Sequence, residues 1–172
     1  MFDKIRVSGM VNDSIVDGVG LRFALFVQGC PLQCEGCHNP QTQPFEGGTF
    51  YSADEIFEKI TKNPLLDGVT FSGGEPMCQA LLLVPLAKMI KQKGLHLACY
   101  TGFVFENLIS KHAPQGVSEL LQYLDVLIDG PFILAKREID LKFKGSSNQR
   151  TIDVQQSLKE NQVVLLSDEK WN

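Results

Sequence analysis

Long apolar runs are missing from this sequence. Nothing approaches the roughly 18 consecutive apolar residues of a membrane span, and the richest run, Ala80–Ala87, is short and closes on Lys88. The opening segment MFDKIRVSGM has no apolar core followed by a small-residue cleavage site, so it does not read as a secretory signal. The expectation is a cytoplasmic protein. A basic excess is missing too: 16 Lys and Arg stand against 20 Asp and Glu, a net charge of −4. No bulk field therefore recruits nucleic acid or an anionic membrane. Ser/Gly linkers, internal repeats and low-complexity tracts are also absent, which leaves a single domain over residues 1–172. Five cysteines cannot all pair, and disulfides are rare in the cytosol. Cysteine here means metal binding, catalysis or core packing.

What is present suits a globular domain. With 172 residues, 44% hydrophobic and 21% charged, the chain can bury a core and is not disordered. Leu21–Gln28 (LRFALFVQ) is a dense apolar run ending at Gly29-Cys30-Pro31, as a buried strand meeting a loop would. Gly68–Ser72, Leu95–Tyr100 and Asp125–Ile128 read as further strands, with a last one at Gln162–Leu166. Ser52-Ala53-Asp54-Glu55 has the pattern of a capping box opening a helix. A second helix runs to about Lys93 and stops at Gly94, with Pro85 expected in the first turn of its main segment. Helical stretches are also expected near Phe103–Lys111 and Val117–Tyr123. Apolar strands alternating with helices imply an α/β fold with about four to six mostly parallel strands. Ligand sites in such folds gather at the C-terminal ends of the strands, and two unusual loops begin there.

The first is Cys30–Gly48, rich in Gly, Pro, Gln and Cys and without a period. It carries Cys30, Cys34 and Cys37 in the spacing C-x3-C-x2-C. Structural zinc prefers four ligands; His38 adjoins Cys37 too closely to chelate well, and no second cysteine pair follows downstream. An ordinary ferredoxin cluster also takes four thiolates. Three thiolates suit a [4Fe–4S] cluster with one iron left open, against zinc or core packing as the alternatives. The second loop is Ser72-Gly73-Gly74-Glu75-Pro76. Two glycines at a strand end allow positive φ and a close approach of backbone to a ligand, and Glu75 offers a carboxylate to a cationic group. A tight turn with a solvated Glu is the plain alternative.

CPLQCEGCHN followed by FSGGEP resembles the radical S-adenosylmethionine superfamily. SIVDGVGLR and FVQGC resemble its glycyl-radical activating enzymes, and ACYTGF, DVLIDGPF and FKGSSNQR are similar to the activating proteins of anaerobic ribonucleoside-triphosphate reductases. These matches span Asp13 to about Thr151. The resemblance implies a partial, open (β/α) barrel, a [4Fe–4S] cluster and S-adenosylmethionine as cofactors. Cys30, Cys34 and Cys37 would each bind one iron, and the cofactor's amino and carboxylate groups the fourth. Gly73, Gly74 and Glu75 would line the methionyl amino group; Gly36, His38 and Asn39 would lie beside the adenine. The cluster and cofactor would carry the chemistry, with no catalytic side chain. A reduced cluster would split the sulfonium, and the 5′-deoxyadenosyl radical would take a hydrogen atom from a backbone glycine. The implied partners are an anaerobic ribonucleoside-triphosphate reductase and a one-electron donor such as flavodoxin or ferredoxin.

Within the enzyme class, the other readings are an activating enzyme of a formate-lyase-type protein or a small-molecule radical enzyme such as a 7-carboxy-7-deazaguanine synthase. Outside it stands an iron–sulfur electron carrier. A full eight-fold barrel needs about 200 residues or more, so an open barrel is expected, and an open side suits a macromolecular substrate. Cys78, four residues after the Gly-Gly loop, is within reach of the cluster as an alternative, but it and Cys99 are expected as small buried hydrophobes, and His96 and His112 as structural or solvated. Asp129 is open between a ribose or cation contact and a turn cap. The Ser146–Arg150 loop is open between docking a partner, closing the site, and a polar surface loop. Nothing in the sequence after Ile152 adds to the resemblance.

Overall fold

The computed structural model describes residues 3–172. Its elements in chain order are β1 (Ile5–Ser14), β2 (Arg22–Val27), β3 (Thr49–Tyr51), α1 (Ala53–Thr61), β4 (Gly68–Gly73), α2 (Ala80–Gln92), β5 (His96–Tyr100), α3 (Phe105–Leu108), α4 (Val117–Leu121), β6 (Val126–Asp129), β7 (Arg150–Asp153) and α5 (Val154–Glu160). Among the described residues one sheet of seven strands forms, in the order β3-β1-β2-β4-β5-β6-β7. Its centre, β2-β4-β5-β6, is parallel. Antiparallel strands flank it on both sides, β1 and β3 at one margin and β7 at the other. The margins are not paired to each other, so the barrel is open, as expected.

Period-2 alternation sorts the sheet's two faces. Phe23, Leu25, Val27, Val69, Phe71, Leu97, Cys99 and Leu127 point to one face, where α1, α2 and α4 cover them in the main core. The intervening residues, among them Thr70, Ser72 and Ala98, line the concave face, with Phe26 and Tyr100 at its cavity end. There Ala98, Val126 and Ile128 form a separate small cluster around Trp171.

The four central strands and the helices between them lie close to their expected places. The Ser52 capping box is present: its hydroxyl accepts from the Glu55 amide at 3.1 Å and the Glu55 carboxylate accepts from the Ser52 amide at 2.6 Å. Pro85 does not stand in the first turn of a helix, contrary to expectation. It lies inside α2, six residues in, because a 3-10 turn at Pro76–Gln79 starts the helix early. The missing donor leaves the Leu81 carbonyl without its helical partner, and Leu81 is 47% exposed, where water can serve that group. The stretch Gln162–Leu166 makes a single bridge, Leu165 with Ile152, rather than a strand. The last true strand is β7, earlier in the chain. Among the described residues no helix is long and apolar enough to cross a membrane.

Candidate functional site

Both unusual loops leave the sheet at the C-terminal ends of parallel neighbours, the thiol loop after β2 and the Gly-Gly loop after β4. Between them opens a cavity of about 590 Å³. The thiol loop is tied down at its base: Gly29 N–H donates to the Thr42 carbonyl at 2.7 Å and Cys30 N–H to the Gln43 carbonyl at 2.9 Å. The buried Gln28 amide group donates to the carbonyls of Gln41 and Pro44. Gln33 stands at φ +47°, an uncommon backbone state for a non-glycine residue and one that clusters at functional loops.

Cys30, Cys34 and Cys37 are free, partly exposed, and all line this cavity. Burial raises the Cys30 thiol above its ordinary range, and the Glu75 carboxylate adds to the rise. Among the described residues no three His, Cys, Asp or Glu side chains converge as a ready-made single-ion site. A cubane cluster makes no such demand, since each of its irons takes its own ligand. Three unpaired thiols on one anchored loop, opening on one cavity, fit that group.

The two glycines have a sharper role than ligand room. A Cβ on Gly74 would sit 2.4 Å from the Gly29 carbonyl oxygen, and one on Gly73, at φ +93°, would sit 2.6 Å from the Val27 nitrogen. Gly74 N–H donates to Val27 O and Glu75 N–H to Gly29 O, each at 2.8 Å. The Gly-Gly loop is thus sewn backbone to backbone onto the root of the thiol loop. A third contact tightens the same rim, because a Cβ on Gly102 would overlap the Leu32 side chain.

Glu75 is not solvated; it is 1% exposed. Its carboxylate accepts from Met77 N–H (3.0 Å), the Thr101 hydroxyl (2.8 Å) and Gly102 N–H (2.8 Å). Burial pushes its pKa up to about 7, against those three donors. A carboxylate has about four acceptor positions, so one is left for a donor in the cavity. His38 and Asn39 line the cavity, and His38 packs on Phe132 with ring centroids 5.0 Å apart. Gly36 stands behind the wall at φ +72°, against Leu134 and Phe132. Tyr100, Phe132, Phe143, Lys144 and Gln149 also line the cavity. None of the five was expected individually as a site residue, but all lie in motifs that carry the resemblance: Tyr100 in ACYTGF, Phe132 in DVLIDGPF, and Phe143, Lys144 and Gln149 in FKGSSNQR.

Several singletons resolve. Asp129 is a structural clamp: wholly buried, it accepts from Phe105 N–H at 2.8 Å and from Arg150 Nε and Nη2 at 3.0 and 2.5 Å. Arg150 also grips Glu106, whose side-chain bonds from Arg150 hold it down to about 2. The Ser146–Arg150 loop is self-braced, not a free polar loop. Buried Ser146 accepts from Ile133 N–H, Gln149 accepts from Gly145 and Ser146 N–H, and Asn148 and Gln149 donate to the carbonyls of Pro131 and Gly130. Cys99 is buried as expected. Cys78 is exposed, contrary to expectation, because its 3-10 turn buries Pro76 and Met77 and leaves the next side chain outward. His96 is structural, its Nδ1 accepting from Arg22 at 3.0 Å, and His112 is exposed.

An open α/β barrel with three free thiols on one loop at its strand edge, facing a cavity, belongs to the class of proteins with room for a metal cluster at that edge. A family model described as a 4Fe-4S single cluster domain matches residues 16–152. The pyruvate formate-lyase-activating enzyme of Clostridium pasteurianum is 35% identical over 129 residues, 72% of this chain, which spans 50% of that protein's length. The anaerobic ribonucleoside-triphosphate reductase-activating proteins of Haemophilus influenzae and Vibrio cholerae are 32% and 34% identical over 145 residues. Those alignments take in 78% of this chain and 89% of each relative. A solved structure, QueE from Escherichia coli, aligns with a TM-score of 0.49 at 16% identity over 73% of this chain and 71% of its own, too loose a likeness to bear on activity. The chain belongs to the 4Fe–4S single cluster domain family and, with these relatives, to the radical S-adenosylmethionine activating enzymes, whose cofactors are a [4Fe–4S] cluster and S-adenosylmethionine.

Proposed function

We propose that this chain is the activase of an anaerobic ribonucleoside-triphosphate reductase, installing a glycyl radical on it by hydrogen abstraction. The observation that carries the choice of partner is coverage. The alignment takes in 145 residues, 78% of this chain, with two reductase-activating proteins, against 129 residues, 72%, with the Clostridium formate-lyase activator. The open barrel margin between β3 and β7 supports a macromolecular substrate, which needs room to present a backbone glycine.

In this reading Cys30, Cys34 and Cys37 hold the cluster. When bound and reduced, the cluster supplies the electron that cleaves S-adenosylmethionine. The protein's own work is placement and exclusion of water. The Gly73–Gly74 backbone, locked onto Gly29, sets the distance between the methionyl end and the thiol loop. The free acceptor position of Glu75 takes an N–H of the methionyl amino group. His38 and Asn39 flank the adenine, with Gly36 shaping the turn behind them. Leu32 on Gly102, together with Phe132, keeps the cavity wall dry. A flavodoxin- or ferredoxin-like protein supplies the electron.

A second reading, activation of a formate-lyase-type enzyme, is favoured by the higher local identity, 40% over 96 residues, to the Listeria monocytogenes pyruvate formate-lyase-activating enzyme. The test is 5′-deoxyadenosine release by the reduced, reconstituted protein with S-adenosylmethionine, with and without each candidate partner. The reductase is expected to stimulate release. Stimulation by formate lyase alone would select the second reading, and no release under any condition would leave an electron carrier.

A further inference from the structure

The family match ends at Ile152, yet a residue well beyond it fills the inside of the barrel. Trp171 is 4% exposed and sits on the concave face of the sheet against Ala98, Val126 and Ile128. Its indole stacks on His96 (centroids 5.5 Å, 27°) and meets Phe143 edge-on (5.4 Å, 60°), with the Arg22 guanidinium 5.6 Å from its ring. Arg22 is itself buried and held by Thr70, Val19, Val69 and His96. The indole therefore rests on a fixed base.

Phe143 joins this floor to the cavity. It lines the cavity with Lys144 and Gly145 and has φ +56°, a left-handed conformation that a bulky residue adopts only where its surroundings hold it. The edge-on contact with Trp171 supplies such a hold. The next-but-one residue, Gly145, lies so close to His38 and Phe132 that a Cβ there would stand 3.0 Å from each ring. The Lys142 ammonium donates to the Glu169 carbonyl at 2.8 Å, tying the same loop to the segment carrying Trp171.

We infer that Trp171 is a positioning residue: it pins Phe143 in its left-handed turn, and so presses the Lys144–Gly145 wall against His38 and sets the width of the cofactor cavity on that side. This inference deepens the proposed function and rests on it for the identity of the cavity's ligand.

The experiment compares the reconstituted parent with Trp171→Leu, which still fills the floor but lacks the aromatic edge, and with Trp171→Phe, which keeps an aromatic partner. An aromatic pair is worth a factor of about three to ten. Amide exchange at Gly145 and Ser146 is expected to rise by about that factor in Trp171→Leu. Exchange at Gly29 and Cys30 and the iron content should stay at parent values. The KM for S-adenosylmethionine should rise by the same factor at unchanged kcat, and Trp171→Phe should recover most of both effects. Adding Phe143→Ala to Trp171→Leu should cost no more than Phe143→Ala alone. Unchanged exchange at Gly145, a uniform rise across the sheet, or additive effects of the two substitutions would overturn the inference. Exchange is read without turnover, so the expected rise in Trp171→Leu, found together with a parent that never cleaves the cofactor, would sink the proposed function and leave the role of Trp171 standing.

Discussion

Replacing Gly74 with alanine tests the seam between the two loops. The new Cβ would lie 2.4 Å from the Gly29 oxygen, 2.9 Å from its carbonyl carbon and 3.0 Å from its nitrogen. Every one of these atoms is backbone, so no rotamer change relieves the overlap. Ordinary contact begins near 3.4 Å, so the strands must part by about 1 Å at the residue before Cys30. That movement strains the paired Gly74–Val27 and Glu75–Gly29 hydrogen bonds. Overpacking of this kind costs about 1–3 kcal/mol, and a misplacement of about 1 Å in a reactive site costs about 10²-fold in rate. Gly9 is the matched control, since a Cβ there meets nothing within 4 Å and its φ is ordinary. The expected result is that Gly74→Ala loads less iron, melts lower and releases 5′-deoxyadenosine about a hundredfold more slowly, whereas Gly9→Ala changes none of these. Full iron and full turnover in Gly74→Ala would refute the seam. A glycine kept only as room for ligand would lose cofactor binding while keeping the cluster; the contact with Gly29 predicts that both fall.

Cys30→Ala, Cys34→Ala and Cys37→Ala should each abolish cluster assembly and cofactor cleavage. Cys78→Ala, at an exposed site, should match the parent in iron and stability, and Cys99→Ala should keep its iron and lose about 1 kcal/mol from the core; iron analysis and melting curves decide. Arg150→Ala leaves Asp129 buried without its partner, a loss of about 3 kcal/mol and a drop in Tm of about 6–12 °C. Adding Asp129→Asn should recover part of the loss, and a lack of recovery would mean the pair is not the cause. His96 is held down to about 4 by burial and by Arg22, so the folded protein keeps it neutral while the unfolded chain protonates near 6.5. Its contribution is complete above pH 6.5 and is lost as pH falls toward 4. Urea midpoints should drop across that window in the parent and drop less in His96→Asn.

The parallel centre of the sheet and the thiol loop were legible because apolar runs stopped by Gly, Pro and Cys carry strong local signals. The margins were not. β1 (IRVSGMVNDS) hides its alternation behind two register shifts, between Val7 and Gly9 and between Val11 and Ser14. β7 (RTID) is half polar, and its Arg150 is there to clamp Asp129, a pairing 21 residues apart that no local pattern announces. The start of α5 was marked by Asp153, which accepts from Gln156 N–H at 2.9 Å, but the strand before it is too short to draw attention to the cap. The place of Glu75 was legible and its three internal donors were not, since Thr101 and Gly102 come from a different strand end. Trp171 was invisible for the same reason: its partners Arg22, His96 and Phe143 are gathered by the sheet, not by the sequence.

In the proposed function the radical made here ends on a glycine of the anaerobic ribonucleoside-triphosphate reductase. Electron paramagnetic resonance of the reductase, mixed with the reconstituted chain, S-adenosylmethionine and a one-electron reductant, tests it most directly. The expected result is a glycyl-radical signal on the reductase that disappears with Cys34→Ala. A glycyl signal raised on formate lyase under the same conditions, and none on the reductase, would contradict it.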